Sequence, residues 1–450
     1  MMVIASAIQI PCFNGMVYGI YCVLYLPIFY FNFISAKKRL NSMKWLVCII
    51  IGVFGIIACK ENNINTSAPD AYLGNTYISH RYKDRLSAVQ LIDRLSAVYP
   101  NADSLIRAQY DVTVYRIFYK THNFQNQEIS ASGLVYIPEI RHYFAPVVCF
   151  QHGTCIQKQE VPSIAANLSY YVPFIIASET GAIVCAADYI GLGFSDGKHH
   201  FYEPNEEANA VVDMLGSVQP LLNKTYQKIT FDDSVLLFGY SQGGHATLAA
   251  QRLLETKYDA HFHIQASAPM ASWFSFENSS QLNVLKAALP FDFPSAYAYL
   301  INSIQSTQSV FSSYNEMLQS PYDSLCSVLF DGTKSTGYVN SKFPATFHAA
   351  LQTSFVNELN SNPDNNFITA LKKYDIINDW IPKSSTRFYH SQGDEIAFYD
   401  NSEIAYNTFK NKGGNVHLIN LGNYNHFEAN IIAIDSVRNW FYPLIKIKPY

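Results

Sequence analysis

A serine flanked by glycines stands at the centre of Gly239-Tyr240-Ser241-Gln242-Gly243-Gly244-His245. The apolar run 234–238 precedes it and a helix-forming stretch, 246–254, follows. A strand, a G-x-S-x-G turn and a helix force the serine into strained backbone geometry, so that only small residues fit two positions to either side. The strain lifts the hydroxyl clear of the sheet, and the N-terminus of the next helix favours negative charge beside it. A serine so placed becomes a nucleophile once a base takes its proton.

Candidates for the remaining groups follow in order along the chain. Upstream, 145–151 reads as a short buried strand running into His152-Gly153-Thr154. Acyl transfer at a serine needs two backbone N–H groups aimed at the developing oxyanion, each worth about 3 kcal/mol of barrier. Gln242, directly after the serine, supplies one; Gly153 or Thr154 supplies the other. Downstream, the strand-like run 387–390 leads into Ser391-Gln392-Gly393-Asp394, and 416–421 leads into Gly422-Asn423-Tyr424-Asn425-His426. His426 is the candidate base and Asp394 the carboxylate that fixes its tautomer, with Glu395 and Asp400 as the rival carboxylates nearby.

These groups must be held by a scaffold, and its outline is visible. Runs 112–119 and 131–137 predict a hairpin at the sheet edge. Buried runs at 146–151, 182–188, 234–238, 263–268, 387–390 and 416–421 then alternate with helical stretches, which predicts a mostly parallel, doubly wound sheet with helices on both faces. The six-residue segment 84–89 (Asp-Arg-Leu-Ser-Ala-Val) recurs at 93–98. Two close copies are too few for a solenoid and predict one extended amphipathic helix within an N-terminal segment, 60–104. More than one hundred residues separate Pro269 from Arg387, far beyond an ordinary connection. This predicts a helical cap over 271–384, inserted between core segments 105–270 and 385–450. Its aromatics, Trp273, Phe274, Phe276, Phe291, Phe293, Tyr297, Tyr299, Phe311 and Tyr314, either line an acyl pocket or pack the cap onto the core.

The elbow, the His-Gly-Thr loop and the late acid and histidine together resemble the secretory-lipase branch of the α/β-hydrolases over about residues 105–445. The order Ser241, Asp394, His426 is that of α/β-hydrolases. Ala187-Asp188-Tyr189-Ile190-Gly191-Leu192-Gly193 resembles that group's fourth strand end, whose aspartate supports the loops around the site. The resemblance implies Ser241 as nucleophile, Asp394 as acid, His426 as base and a helical lid before the acid. It departs from the wider superfamily's His-Gly-x-x-Asp-x-x-Val-Pro pattern, since Ser391 replaces the glycine and Ala397-Phe398 replace Val-Pro.

At 450 residues, 49% apolar and with formal charge −4, the chain can bury one large core and lacks the basic excess of a nucleic-acid binder. Residues 43–59 have a basic start, an apolar centre and Ala58 before Cys59, which matches a bacterial lipoprotein signal peptide with Cys59 as the lipidated residue. The expectation is an exported bacterial lipoprotein, anchored in the membrane and facing the periplasm or cell surface. Residues 1–42 then read as an over-extended N-terminus; the rival reading is a membrane span from Ala5 to Ser35. Cys149 and Cys185 read as small core residues, and Cys155 lies beside the oxyanion loop. No metal or cofactor is expected. The function expected is serine ester hydrolysis, esterase or lipase, through an acyl-enzyme on a small-molecule ester or lipid; a peptidase or amidase would use the same machinery.

Overall fold

The computed structural model describes residues 76–97, 106–225 and 228–450. The proposed signal peptide, Cys59 and the span 5–35 lie outside the described residues. Strands β1 (Tyr77–Leu86), β2 (Val112–His122), β3 (Glu128–Pro138), β4 (Tyr143–Gln151), β5 (Ile183–Ala187), β6 (Ile229–Tyr240), β7 (His263–Met270), β8 (Thr386–His390) and β9 (Val416–Asn420) form one sheet in the order β1-β2-β3-β5-β4-β6-β7-β8-β9. The short β10 (Lys448–Pro449) adds to β4. From β1 to β5 neighbours run antiparallel; from β5 through β4, β6, β7, β8 and β9 they run parallel.

The near-continuous apolar strands are buried on both faces, as crossover helices require. Along β4, Val148 and Phe150 enter one core while Val147 and Cys149 enter the other, the alternation expected of a strand. The first face is covered by α1 (Ala88–Ser96), α2 (Leu168–Thr180) and α13 (His426–Phe441). The second is covered by α3 (Pro204–Gly216), α4 (Val218–Thr225) and α5 (Gln242–Lys257). After β8, α12 (Asp400–Asn411) leads to β9. The mostly parallel α/β architecture expected from the strand spacing is therefore present.

The N-terminal repeat does not form one helix. Its first copy straddles the end of β1 and the start of α1, because Ser87 accepts the Gln90 N–H and the Gln90 side chain returns to the Ser87 N–H. That reciprocal cap starts α1 and stops β1. Pairing of Leu86 with Val112 overrides the helical periodicity, and β1 occupies the sheet edge, one strand outside the expected hairpin. Between β7 and β8 lie helices and loops, with one isolated bridge between Leu318 and Leu351: α6 (Asn283–Lys286), α7 (Ser295–Gln308), α8 (Tyr322–Val328), α9 (Thr336–Asn340), α10 (Thr353–Ser361) and α11 (Asn366–Leu371). Trp273, Phe276, Phe291, Tyr297 and Tyr299 are buried together in their core, and Tyr202 stacks on Trp273 at 5.3 Å.

Candidate active site

Ser241 sits between β6 and α5 with φ 60° and ψ −128°, a conformation few non-glycine residues adopt. Glycine neighbours make this turn possible. A Cβ on Gly239 would lie 2.3 Å from the Gly243 carbonyl oxygen, and one on Gly243 would lie 2.1 Å from the Gln151 carbonyl oxygen. The Ser241 N–H donates to the Met270 carbonyl at 3.1 Å, and its own carbonyl accepts from Gly244 N–H at 2.8 Å. Elbow and strand end are thus locked by main-chain bonds.

His426 is the first residue of α13, whose N-cap Asn425 accepts from the Phe427 and Glu428 N–H groups. Its Nδ1 lies 2.7 Å from Asp394 Oδ2. The other Asp394 oxygen accepts the Ile396 and Ala397 N–H groups at 3.0 and 2.8 Å. Burial pushes the Asp394 carboxyl up, but His426 and the hydrogen-bonding His390 overcome it and hold the group well below the usual carboxylate range. The rival carboxylates go elsewhere: Glu395 accepts the His426 backbone N–H at 3.1 Å, and Asp400 accepts the Ser280 N–H at 2.6 Å. Tyr240, one residue before the serine, donates its hydroxyl to the His426 carbonyl at 2.7 Å, tying elbow to base.

Ser241, His426, Gly153 and Thr154 line one cavity of about 480 Å³. Its apolar wall comes from Phe150 on β4, Leu168 and Val172 on α2, and Phe427 and Ile434 on α13. Of the nine cap aromatics, Phe293 alone reaches it; the acyl-pocket expectation gives way to packing for the other eight, which lie in or against buried clusters. The Gln242 side chain is fully buried beneath the elbow, while its backbone occupies the first position of α5, where an N–H has no partner within the helix. Asp188 does support nearby loops: it accepts Ser132 Oγ at 2.6 Å and the Ser163 N–H at 3.2 Å. Burial pushes the Cys155 thiol up, so it is not a thiolate at neutral pH.

Several positioning groups escaped the sequence. His390 Nε2 donates to the Ala397 carbonyl at 2.7 Å and lies 3.4 Å from Asp394, behind the acid. Ser391, which departs from the familiar pattern, accepts the Tyr424 N–H at 2.7 Å and packs its hydroxyl against the Gly422 and Tyr424 carbonyls, joining the acid loop to the base loop. Glu207, His245 and His199 surround Gln242 in the core. Of these only His245 had a motif to mark it, since it closes the elbow heptad. Among the described residues no cluster of three or more His, Cys, Asp or Glu side chains could hold a metal ion.

The secretory lipase family model matches residues 165–268. A search of curated proteins finds no match to the sequence. Among solved structures, a putative hydrolase from Legionella pneumophila superposes with TM-score 0.74 at 24% identity, covering 82% of this chain and 98% of that one. The rice cell wall degrading esterase LipA from Xanthomonas oryzae gives 0.71 at 22% identity, covering 82% and 97%. Candida antarctica lipase A in its closed state gives 0.59 at 18%, covering 85% and 83%. The chain therefore has the α/β-hydrolase fold of these structures, and residues 165–268 match the secretory lipase family model.

Proposed function

We propose that the protein hydrolyses carboxylic esters through an acyl-enzyme, with Ser241 as nucleophile, His426 as base and Asp394 as the acid that orients it. The observation that carries this reading is the buried 2.7 Å contact between His426 Nδ1 and Asp394, on a histidine that shares its cavity with Ser241. With Nδ1 engaged by Asp394, Nε2 is the nitrogen available to the serine. Ser241 Oγ adds to the ester carbonyl carbon as its proton passes to Nε2. The N–H groups of Gln242 and of Gly153 or Thr154 donate to the oxyanion. Collapse breaks the bond to the alcohol, which leaves with the proton from Nε2; water repeats the sequence and frees the acid. The cavity is of ligand size and largely apolar around Val172 and Ile434, which favours a short to medium acyl chain, at about 25 cal/mol per Å² removed from water.

Ser241→Ala is expected to abolish covalent labelling by a fluorophosphonate probe with the fold retained; labelling that persists would place the nucleophile elsewhere. Purified protein should cleave p-nitrophenyl esters far faster than matched anilides, with short to medium acyl groups preferred over acetate. Faster cleavage of a peptide anilide than of every ester would make it a peptidase or amidase.

The match to a secretory family and the 43–59 segment support export with a lipid on Cys59. Among the described residues no helix is long and apolar enough to cross a membrane. Expressed in a bacterium, the protein should partition into detergent and carry a modified Cys59 as its first residue. Mass spectrometry finding an intact residue 1 would refute this.

A further inference from the structure

The Gln242 side chain does not cap its helix. It turns inward and gives both amide hydrogens away, one to Glu207 Oε1 at 2.8 Å and one to His199 Nε2 at 2.8 Å. The opposite amide orientation would set a carbonyl against a carboxylate, so chemistry fixes which way the group points. His199 accepts at Nε2 because its Nδ1 donates to the Ile190 carbonyl at 3.0 Å. The remaining Glu207 oxygen faces His245 Nδ1 at 2.6 Å, while His245 Nε2 faces the Tyr374 carbonyl at 3.1 Å. Both nitrogens of His245 are therefore engaged, one by the Glu207 carboxyl and one by the Tyr374 carbonyl. The His245 and Glu207 side chains are 0% and 1% exposed.

A buried pair of this kind is poor value as stability alone, since apolar side chains of the same volume serve as well. Its placement points to another use. Glu207 reaches the side chain of the one residue whose backbone N–H follows the nucleophile. The anchoring is strong enough that Gln242 Oε1 is left buried with no partner among the described residues, an arrangement that mutual optimisation of the core would avoid. We infer that Glu207, braced by His245, is a positioning residue that acts through Gln242 to hold the oxyanion-binding N–H in place. This inference rests on the Ser241 ester-hydrolase reading and deepens it.

The test uses two variants and their combination. Glu207→Gln replaces the carboxyl that holds both Gln242 and His245, and Gln242→Met cuts the link while leaving the Glu207–His245 pair intact, so one variant survives if loss of the pair prevents folding. Active sites are counted by fluorophosphonate titration and turnover is expressed per labelled site, which removes any misfolded fraction. Losing an oxyanion donor outright costs ~10²–10³ in turnover, so displacing it should lower kcat ~10- to 100-fold in each variant, with KM changed less than about threefold. The double variant should be no worse than the poorer single one, because both changes break the same link. Unchanged kcat per site in Gln242→Met, or losses that multiply in the double variant, would overturn the proposal. Wild-type protein that resists the probe at Ser241 would overturn the hydrolase reading itself, and this inference with it.

Discussion

Asp394 lies between two imidazoles but serves them differently. His426 takes its Oδ2 at 2.7 Å, whereas His390 stands at 3.4 Å and spends its Nε2–H on the Ala397 carbonyl. The acid is thus directed at one ring and braced by the other. His426→Ala and Asp394→Asn should each lower turnover by ~10⁴, and the double variant should lose little more, since the residues act as a unit. A nearly silent Asp394→Asn would move the acid to another carboxylate. The depressed Asp394 carboxyl also sets a pH dependence of stability. Its folded value lies below the unfolded value of about 3.9, so its stabilisation is present above that pH and is lost as pH falls through the folded value. Urea unfolding of wild type and Asp394→Asn should therefore differ at pH 6 and converge as pH drops below about 4. The catalytic triad candidates were legible because nucleophile, acid and base each follow a strand end. His390 was not, since its role comes from burial behind Asp394 rather than from any local pattern.

At the scale of elements, the elbow shows how few degrees of freedom the chain keeps around the serine. β6 must stop and α5 must start within one residue, and Gly243 lets the Gln151 carbonyl pass where a Cβ would sit at 2.1 Å. The clashing atoms are backbone from the neighbouring strand end, so no side chain can swing aside. Gly243→Ala should destabilise the fold by about 3 kcal/mol or prevent its expression, read as the shift in urea midpoint at constant m-value. A variant of wild-type midpoint would show that the elbow can widen. The start of α1 carries the opposite lesson. Helical periodicity across both copies of the repeat argued for one long helix, yet α1 begins only at Ala88, inside the first copy. Its first three residues, 84–86, belong to the ten-residue strand β1, and the Ser87 cap starts the helix.

Across the whole molecule, the apolar wall of the cavity comes mainly from two core helices, with Phe293 the one aromatic the cap adds. Val172 on α2 and Ile434 on α13 face the cavity, while Trp273 and Tyr297 are 2% exposed within the cap's own core. Ile434→Trp should therefore shift the preferred ester toward shorter acyl chains. Trp273→Ala should instead cost about 3–5 kcal/mol of stability and leave that preference unchanged. A moved chain-length optimum in Trp273→Ala would return the cap aromatics to the acyl pocket.

What the sequence determined by itself is local and periodic. The G-x-S-x-G turn, the alternating buried runs and the Ser, Asp, His order depend on spacing along the chain, so they prescribed an α/β-hydrolase sheet and named the residues at its strand ends. What only the tertiary structure decided is which distant groups meet. The wall of the cavity joins α2 to α13, more than two hundred and forty residues apart, and Glu207 on α3 joins α5 at both Gln242 and His245. An aromatic or a buried charge has the same signature in sequence whether it faces a substrate or fills a core. Its role is set by the packing of elements around it, which no local pattern encodes.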